Sequence, residues 1–403
     1  MAAAGGGNTY IMMLIGGGVL VAVGNGLHWS HAGPVALAAA LLAVGGLLVV
    51  FGSCEAMIKS VHGVAKRVRW NQFVAGTMAG LASNVPEVVM LGFVVAKEPR
   101  VGFIVVALTL HVGAATFGLY SALLPRDESG HANMPAPLVK ISTDLYACAG
   151  AIMLVVGMLM VMMRLLTEPG HPEKVVLTPA DLYVLGAALL MVEFVAVWRL
   201  VARFSEDDTP PDARDGAVDE AAENAAEAET GGSEDLPSVG SIVGFGVLGV
   251  VTSVIGGHAV GDFADILVAG LTSRGYPEMV GALLLSVFAC SGVFVMVYAS
   301  HSKGMHDIAL VNVSGAVTQV PFVVMPIALI MIAAFTQLGV VPGYPGGGAL
   351  PIDLATTSVL LLGFPPMLIL FKAISDDGMV NWLETAVMIS VFSITIYFLV
   401  VHG

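Results

Sequence analysis

The chain has 403 residues, of which 57% are hydrophobic and only 11% are charged. A soluble protein of this size carries charge on roughly a quarter of its residues, so the composition excludes an ordinary soluble globular protein and indicates a surface that faces lipid. The net charge is −14, and residues 205–237 supply most of it, with twelve Asp or Glu against one Arg. Because no basic patch is present, a role in nucleic-acid binding is excluded as well.

Long apolar runs rich in Leu, Val, Ala, Gly and Met recur along the whole chain. They show no alternation of polar and apolar residues, which favours membrane-spanning helices over a β-barrel. No Lys or Arg precedes the first run, so we expect a retained helix and not a signal peptide. The predicted spans are 10–28, 34–58, 71–96, 101–124, 139–165, 179–203, 239–272, 277–300, 306–338, 352–374 and 379–401.

The eleven spans divide into an N-terminal helix and two sets of five. We predict a peripheral helix in 1–30, a first five-helix repeat in 31–204, an acidic cytosolic linker in 205–237 and a second repeat in 238–403. A shift of 207 residues lays Glu55 on Asp262 and keeps the pattern of small and polar residues in step. Because five is an odd number, the second repeat enters the membrane upside down, as in alternating-access transporters.

The distribution of Lys and Arg predicts the orientation in a cytoplasmic membrane. Eleven of the sixteen lie on one side of the predicted spans, and the richer side is cytoplasmic by the positive-inside rule. The N-terminus and the acidic linker are then cytoplasmic, and the C-terminus is outside.

The third span carries the most informative polar residues. Thr77, Gly80, Asn84 and Glu87 follow at spacings of three, four and three, so they share one helix face. Pro86 removes a helical hydrogen bond and frees a carbonyl in the preceding turn. Hydroxyl, amide, carbonyl and carboxylate oxygens suit Na⁺, Ca²⁺ or a proton, and an acid inside a membrane is costly unless it has a function. A proline kink with a satisfied buried acid is the alternative.

The ninth span carries a corresponding polar stripe. Asp307, Ser314 and Thr318 follow one face, Gln319 lies beside it, and Pro321 loosens the helix just afterwards. We expect Ser314, Thr318 and Gln319 to contribute to a cation or proton site. Asp307 is included as a candidate, but it lies near the cytoplasmic end, where a helix cap or an entrance acid is an equal alternative.

These two segments resemble the paired repeats of the cation/calcium exchanger superfamily, and most closely its proton-coupled branch. The resemblance is carried by Ser83-Asn84-Val85-Pro86-Glu87, by Met305-His306-Asp307-Ile308 and by the run from Gly315 to Val323. It implies an all-α membrane protein with inverted repeats and an acidic segment between them. It also implies cation antiport, with Glu87, Asn84 and Gln319 as metal ligands and with Ser83, Thr109 and His111 lining the same pocket.

One position departs from the resemblance. The family places a carboxylate in each repeat, but Phe294 occupies the position that matches Glu87, and nearby Ser291 offers only a neutral oxygen. Loss of one acid weakens divalent binding and favours a monovalent cation or a proton. Other titratable residues offer proton coupling, or alternatively a structural network at a helix end; they are His258, Asp262, Asp265 and Glu55.

The functional expectation is a secondary-active antiporter that exchanges Ca²⁺ or Na⁺ for H⁺ or Na⁺, and not an enzyme. The sequence has no phosphate-binding loop, no zinc-protease motif and no nucleophile beside an obvious base, so we expect no ATP and no resident cofactor. The expected partners are the lipid bilayer and small inorganic cations, with no nucleic acid, and the oligomeric state is left open. The alternatives are a transporter of Mg²⁺ or an organic ion on the same fold, and a non-transporting membrane ion sensor.

Overall fold

The structure is a computed structural model that describes residues 9–30, 33–68, 70, 72–166, 175–204, 236–302, 304–375 and 378–402. Nearly all of these residues are helical, and ten of the described helical segments, two of which join shorter helices, are long and apolar enough to cross a membrane. A further bent pair of helices brings the number to eleven when it is counted as one span. The predicted all-α multi-pass architecture is therefore confirmed. The acidic linker lies outside the described residues, apart from its last two.

The first half of the chain contains six helices between its described ends. They are α1 (Thr9–Ser30), α2 (Val35–Val68), α3 (Gln72–Lys97), α4 (Pro99–Ser121), α5 (Ala136–Leu166) and α6 (Pro179–Phe204). Two short strands lie in the connections, β1 (Ala132–Asn133) before α5 and β2 (Val176–Leu177) before α6.

The second half repeats this order with more interruptions. Its helices are α7 (Val239–Thr272), α8 (Glu278–Ala289), α9 (Ser291–Ser302), α10 (His306–Gln319), a π-helical segment (Val320–Val324), α11 (Met325–Gln337), α12 (Leu354–Leu361), α13 (Phe364–Ser375) and α14 (Trp382–His402). The strands β3 (Leu350–Pro351) and β4 (Met379–Val380) precede α12 and α14.

Three of the predicted spans are interrupted, and only the interruption in the ninth was expected, at Pro321. The eighth is the pair α8 and α9, which bends by 43° at Cys290. The ninth contains the π-helical segment, because Pro321 has no amide proton for a helical hydrogen bond. The tenth is divided between α12 and α13 at Leu362 and Gly363.

The chain folds into two compact units, each of which combines parts of both halves. Unit 1 contains residues 1–93 and 193–270, and unit 2 contains residues 94–192 and 271–403. The two units therefore do not coincide with the two predicted repeats.

In unit 1, the two longest helices, α2 and α7, pack against each other in opposite directions. A methyl group on Gly46 would lie 2.9 Å from Val260, and one on Gly63 would lie 2.6 Å from Ile242. Contacts thus move toward the start of α7 as they move toward the end of α2. These helices are equivalent in the predicted repeat, and antiparallel packing of equivalent helices is what an inverted repeat requires.

In unit 2, two further pairs of equivalent helices are also antiparallel. Gly113 of α4 lies against Val317 of α10, while Tyr120 near the end of α4 reaches His306 at the start of α10. Gly157 and Gly150 of α5 lie against Leu361 and Met367 in the pair α12 and α13. Two antiparallel strand pairs, β1 with β4 and β2 with β3, join the connections of one half to those of the other.

An ion-pair cluster ties three helix starts together in unit 2. The guanidinium of Arg100 on α4 donates to Asp353, at 2.6 Å, and to Glu278 on α8. Asp353 also caps α12 by accepting from the Thr356 amide. Burial acts to raise the pKa of Asp353, but the bonds from Arg100 and Thr356 outweigh it and hold the pKa below its ordinary value. This carboxylate is therefore ionised at neutral pH.

Candidate functional site

The acid singled out by the sequence, Glu87, lies in the middle of α3 in unit 1. Pro86 lies inside this helix, and its missing amide proton leaves the Ala82 carbonyl without its helical partner. The Glu87 side chain is half-buried, and no described residue of unit 1 forms a hydrogen bond or ion pair with its carboxylate. The carboxylate is therefore available to a cation or a proton, which argues against the alternative of a satisfied structural acid.

The neighbours of Glu87 on α3 supply further oxygens. Asn84 is buried, and the Ser83 hydroxyl donates to the Gly80 carbonyl at 2.7 Å. Thr77 lies on the same helix, but its side chain is outside the described part of the structure. Only Ser83 and Asn84 can therefore be placed beside the acid among the residues predicted on this face.

A residue that sequence reasoning missed approaches the same point from α2. The thiol of Cys54 donates to the Ser83 carbonyl, with sulfur and oxygen 3.3 Å apart, and Cys54 lies close enough to Glu87 to interact with it electrostatically. One feature of the sequence points to Cys54: it immediately precedes Glu55, which the shift of 207 residues aligns with Asp262.

Helix α7 also contributes polar side chains to unit 1, and it contacts both α2 and α3. Gly257 lies against the backbone of Met90, where a methyl group would come within 3.0 Å, one turn from Glu87. The hydroxyl of Ser53 on α2 donates to Thr252 on α7 at 2.7 Å, and Ser253 is fully buried. Helices α2, α3 and α7 thus contact one another in unit 1.

Two ion-pair contacts in unit 1 involve residues predicted for proton coupling. His258 Nδ1 lies 3.2 Å from a carboxylate oxygen of Asp262, and Phe93 of α3 contacts the same imidazole ring edge-on. Glu55 lies 3.9 Å from the ammonium of Lys59. Asp265, one turn further along α7, takes part in an interaction of its own. His258 and Asp262 are therefore in contact, and a role of these residues in proton coupling stays a prediction.

In unit 2, His111 lies at the break between α12 and α13. Its Nε2 atom donates to the Val359 carbonyl at 2.9 Å, because the Gly363 amide that would reach this carbonyl in a continuous helix bonds to Leu360 instead. The Nδ1 atom, buried with the rest of the ring, has no partner among the described residues. His111 is therefore placed to hold a broken helix, with one free acceptor.

This role predicts a stability effect. Replacement of His111 by Leu leaves the Val359 carbonyl buried without a donor, at a cost of about 1–3 kcal/mol. We expect a lower thermal unfolding midpoint for the purified protein in detergent. Replacement by Gln, which retains a donor, should restore part of the loss, whereas equal midpoints for Leu and His would contradict this role.

The remaining predicted residues of unit 2 follow two helices. Ser314 donates to Ser142 and contacts the Tyr146 hydroxyl at 2.6 Å, within the buried interior between α5 and α10. Thr318 is buried, and its hydroxyl donates to the Ser314 carbonyl one turn earlier. Gln319 is the last residue before the π-helical segment. The contacts of Ser142 and Tyr146 could not be predicted, because both residues lie in an apolar span without a motif.

Three other candidates lie apart from this stripe. The Thr109 hydroxyl donates to the Val106 carbonyl, and the Thr109 carbonyl accepts from Cys290. Ser291 opens α9, and its hydroxyl donates to Phe288 across the bend. Asp307 lies in the first turn of α10, about two turns from Ser314, so the structure does not bring these two together.

The polar groups described in each unit could hold a cation mainly through neutral oxygens. Among the described residues, no group of three or more His, Cys, Asp or Glu side chains could hold a metal ion. Each unit instead offers hydroxyl, amide and carbonyl oxygens, with Glu87 as the central acid of α3.

The sequence matches no protein-family model and no curated protein, but solved structures share its fold. An H⁺/Ca²⁺ exchanger, CAX, superposes with a TM-score of 0.62 at 11% identity, covering 97% of this chain and 92% of the other. Native YfkE gives 0.57 at 12% identity, covering 97% and 99%. The sodium-calcium exchanger NCX_Mj gives 0.51 at 13% identity, covering 89% and 98%. The resemblance predicted from the sequence is confirmed at the level of architecture: this chain has the fold of the cation/calcium exchangers.

Proposed function

We propose that this protein is a secondary-active antiporter that exchanges a metal cation, Ca²⁺ or Na⁺, for H⁺ or Na⁺ by alternating access. The observation that carries the proposal is the Glu87 carboxylate, which lies on a proline-containing membrane helix and forms no hydrogen bond or ion pair with a described residue of its unit. The fold supports it, because the superposed proteins include an H⁺/Ca²⁺ exchanger and a sodium-calcium exchanger.

The chemistry of exchange follows from the cost of a bare charge in a membrane. A deprotonated and empty Glu87 is expensive to enclose, whereas a proton or a bound cation removes most of that cost. The occupied protein can therefore pass through a closed state that the empty protein avoids. Neutral oxygens for the same ion come from Ser83, Asn84 and the freed carbonyl of Ala82. Because the empty protein avoids the closed state, an ion leak through return of the empty site is suppressed.

The number of carboxylates at the site bears on which cation it binds. Ca²⁺ prefers several oxygens and more than one carboxylate, and Phe294 stands where the resemblance places the second acid. We expect the counter-ion to be bound by the same carboxylate, so that cation and proton compete. Tyr298, which could have formed an aromatic wall for an organic ion together with Phe294, is 71% exposed, and this placement gives no support to an organic substrate.

Transport into proteoliposomes tests this proposal. The purified protein would be reconstituted and given Na⁺, K⁺, Ca²⁺, Mg²⁺ or Mn²⁺ on one side under an imposed pH gradient. We expect uptake of Na⁺ or Ca²⁺ that depends on the pH gradient. Where H⁺ is the counter-ion, protons leave the vesicle as the cation enters, so the luminal pH should rise. Uptake of an organic solute alone would support the alternative transporter, and cation binding without any flux would support a sensor.

A further inference from the structure

Two side chains of α5 contact the hydroxyl of Ser314 in the buried interior of unit 2. Ser142 and Tyr146 lie four residues apart on α5, so they share one face of that helix. The Ser314 hydroxyl on α10 donates to the Ser142 oxygen at 2.9 Å, and the Ser314 and Tyr146 oxygens lie 2.6 Å apart. Tyr146 is fully buried, and Ser314 is only 2% exposed.

The number of hydroxyl protons fixes the direction of these bonds. A serine hydroxyl has one proton and two lone pairs, and the proton of Ser314 is already donated to Ser142. The bond to Tyr146 must therefore use the tyrosine proton, so Tyr146 donates to Ser314. One lone pair of the Ser314 oxygen accepts this bond, and the second lone pair has no donor among the described residues.

Ser314 differs from two other candidate hydroxyls of unit 2. Thr318, one turn later on α10, donates to the Ser314 carbonyl of its own helix, and the Thr109 hydroxyl on α4 donates to the Val106 carbonyl in the same way. Such bonds to the preceding turn are ordinary for hydroxyls within helices. The Ser314 hydroxyl instead bonds to two side chains of a neighbouring helix, which fix its orientation.

The orientation of this hydroxyl determines which ligands it can bind. Because its proton is donated to Ser142, Ser314 can offer a ligand only a lone pair and cannot donate a hydrogen bond to it. Oxygen lone pairs coordinate Na⁺ or Ca²⁺, whereas an anion or a carbonyl oxygen requires a donor. The bonds to Ser142 and Tyr146 therefore favour a cation at the Ser314 oxygen.

We propose that Tyr146 and Ser142 are positioning residues for cation binding, and that they act through the Ser314 hydroxyl. Tyr146 occupies one lone pair of the Ser314 oxygen, Ser142 accepts its proton, and the remaining lone pair binds the transported cation. Neither Tyr146 nor Ser142 contacts the ion. This inference rests on the proposed antiport, because it makes Ser314 a ligand of the cation that is exchanged.

The apparent cation affinity of the purified full-length protein tests this inference. Na⁺ or Ca²⁺ would be titrated while the thermal unfolding midpoint is followed, because an ion that binds only the folded protein raises the midpoint. We expect Tyr146→Phe to weaken the affinity by about three- to tenfold, the effect of losing one hydrogen bond. In proteoliposomes, the same variant should raise KM by a similar factor and leave kcat nearly unchanged.

A double-mutant cycle distinguishes positioning from direct contact with the ion. Ser314→Ala should weaken the affinity at least as much as Tyr146→Phe, and the double variant should bind the cation no more weakly than Ser314→Ala alone. Additive effects would show that Tyr146 acts independently of Ser314 and would overturn the proposal. Ser142→Ala should behave like Tyr146→Phe, while Ser142→Thr, which retains the hydroxyl, should restore most of the affinity.

Tyr183→Phe is the matched control, because the Tyr183 hydroxyl on α6 donates to Gln337 at 3.0 Å, away from Ser314, and this variant should bind the cation like the wild type. If Tyr146→Phe lowers the midpoint of the ion-free protein but leaves the affinity unchanged, the role of Tyr146 is purely structural and this inference fails, while wild-type exchange persists. Wild-type protein that neither binds nor exchanges a cation would overturn the proposed antiport and this inference together, so the two failures are distinguishable.

Discussion

Replacement of Glu87 by Gln should abolish cation exchange and remove its pH dependence. Gln retains the size and the oxygen of the side chain but can neither release a proton nor neutralise a cation. Loss of one charge about 4 Å from a bound cation, at the effective dielectric of a protein, weakens binding by about 100-fold or more. Initial rates of gradient-driven uptake into proteoliposomes, measured at several pH values, check this expectation.

Glu193→Gln is the matched control for this substitution. Glu193 is also an acid within a membrane span, on α6, and it forms no ion pair with a described residue. It lies outside both repeat motifs, so we expect its variant to keep most of the wild-type exchange. A Glu87→Gln variant that exchanges ions at the wild-type rate, with an unchanged pH profile, would rule out the proposed mechanism.

Replacement of Gly257 by Leu should both lower the stability of unit 1 and eliminate exchange. A first side-chain carbon at this position would lie 3.0 Å from Cα and 3.1 Å from the amide nitrogen of Met90. Because these are backbone atoms, α3 and α7 must move apart, at a cost of about 1–3 kcal/mol for overpacking. The displacement occurs one turn from Glu87, so we expect a lower thermal unfolding midpoint and loss of transport.

Gly244→Leu on the same helix separates this effect from the general cost of a larger residue. A side-chain carbon on Gly244 would meet no atom within 4 Å, and its variant should unfold and transport like the wild type. Equal behaviour of the two leucine variants would show that the approach of α7 to α3 is not required.

Most of the membrane architecture could be predicted because its signals are local. Runs of apolar residues located the spans, and the placement of Lys97 and Arg100 on either side of a short gap separated α3 from α4. The loosened helix after Gln319 followed from Pro321 alone. These features depend on the backbone chemistry of neighbouring residues, which the sequence displays directly.

One interruption could not be predicted at all, and the distant partner of another could not be predicted either. Cys290 and Ser291 are compatible with a continuous helix, so nothing in their chemistry announces the bend between α8 and α9. The break at Leu362 differs, because Gly363 and Pro365 mark it in the sequence, but its contact with a histidine about 250 residues away could not be predicted. Such breaks depend on which distant side chain satisfies a freed carbonyl.

The sequence predicted which candidate residues share a face of one helix, but not which residues of other helices contact them. Spacing placed Asn84 and Glu87 on one face, and the structure keeps them adjacent in α3. The approach of Cys54 to Ser83 and the bond between Tyr146 and Ser314 required knowledge of packing. A hydroxyl or thiol in an apolar span has no spacing rule that would reveal its partner.

The strand pairs β1–β4 and β2–β3 have a consequence for how the protein is made. Each pair joins a connection in the first half to one that follows more than 170 residues later. During translation, helices α1 to α6 therefore emerge and enter the bilayer before the partners of these strands exist. Contacts this distant in sequence form late and slowly, so unit 2, which contains both strand pairs, cannot be completed until the ribosome has finished most of the second half.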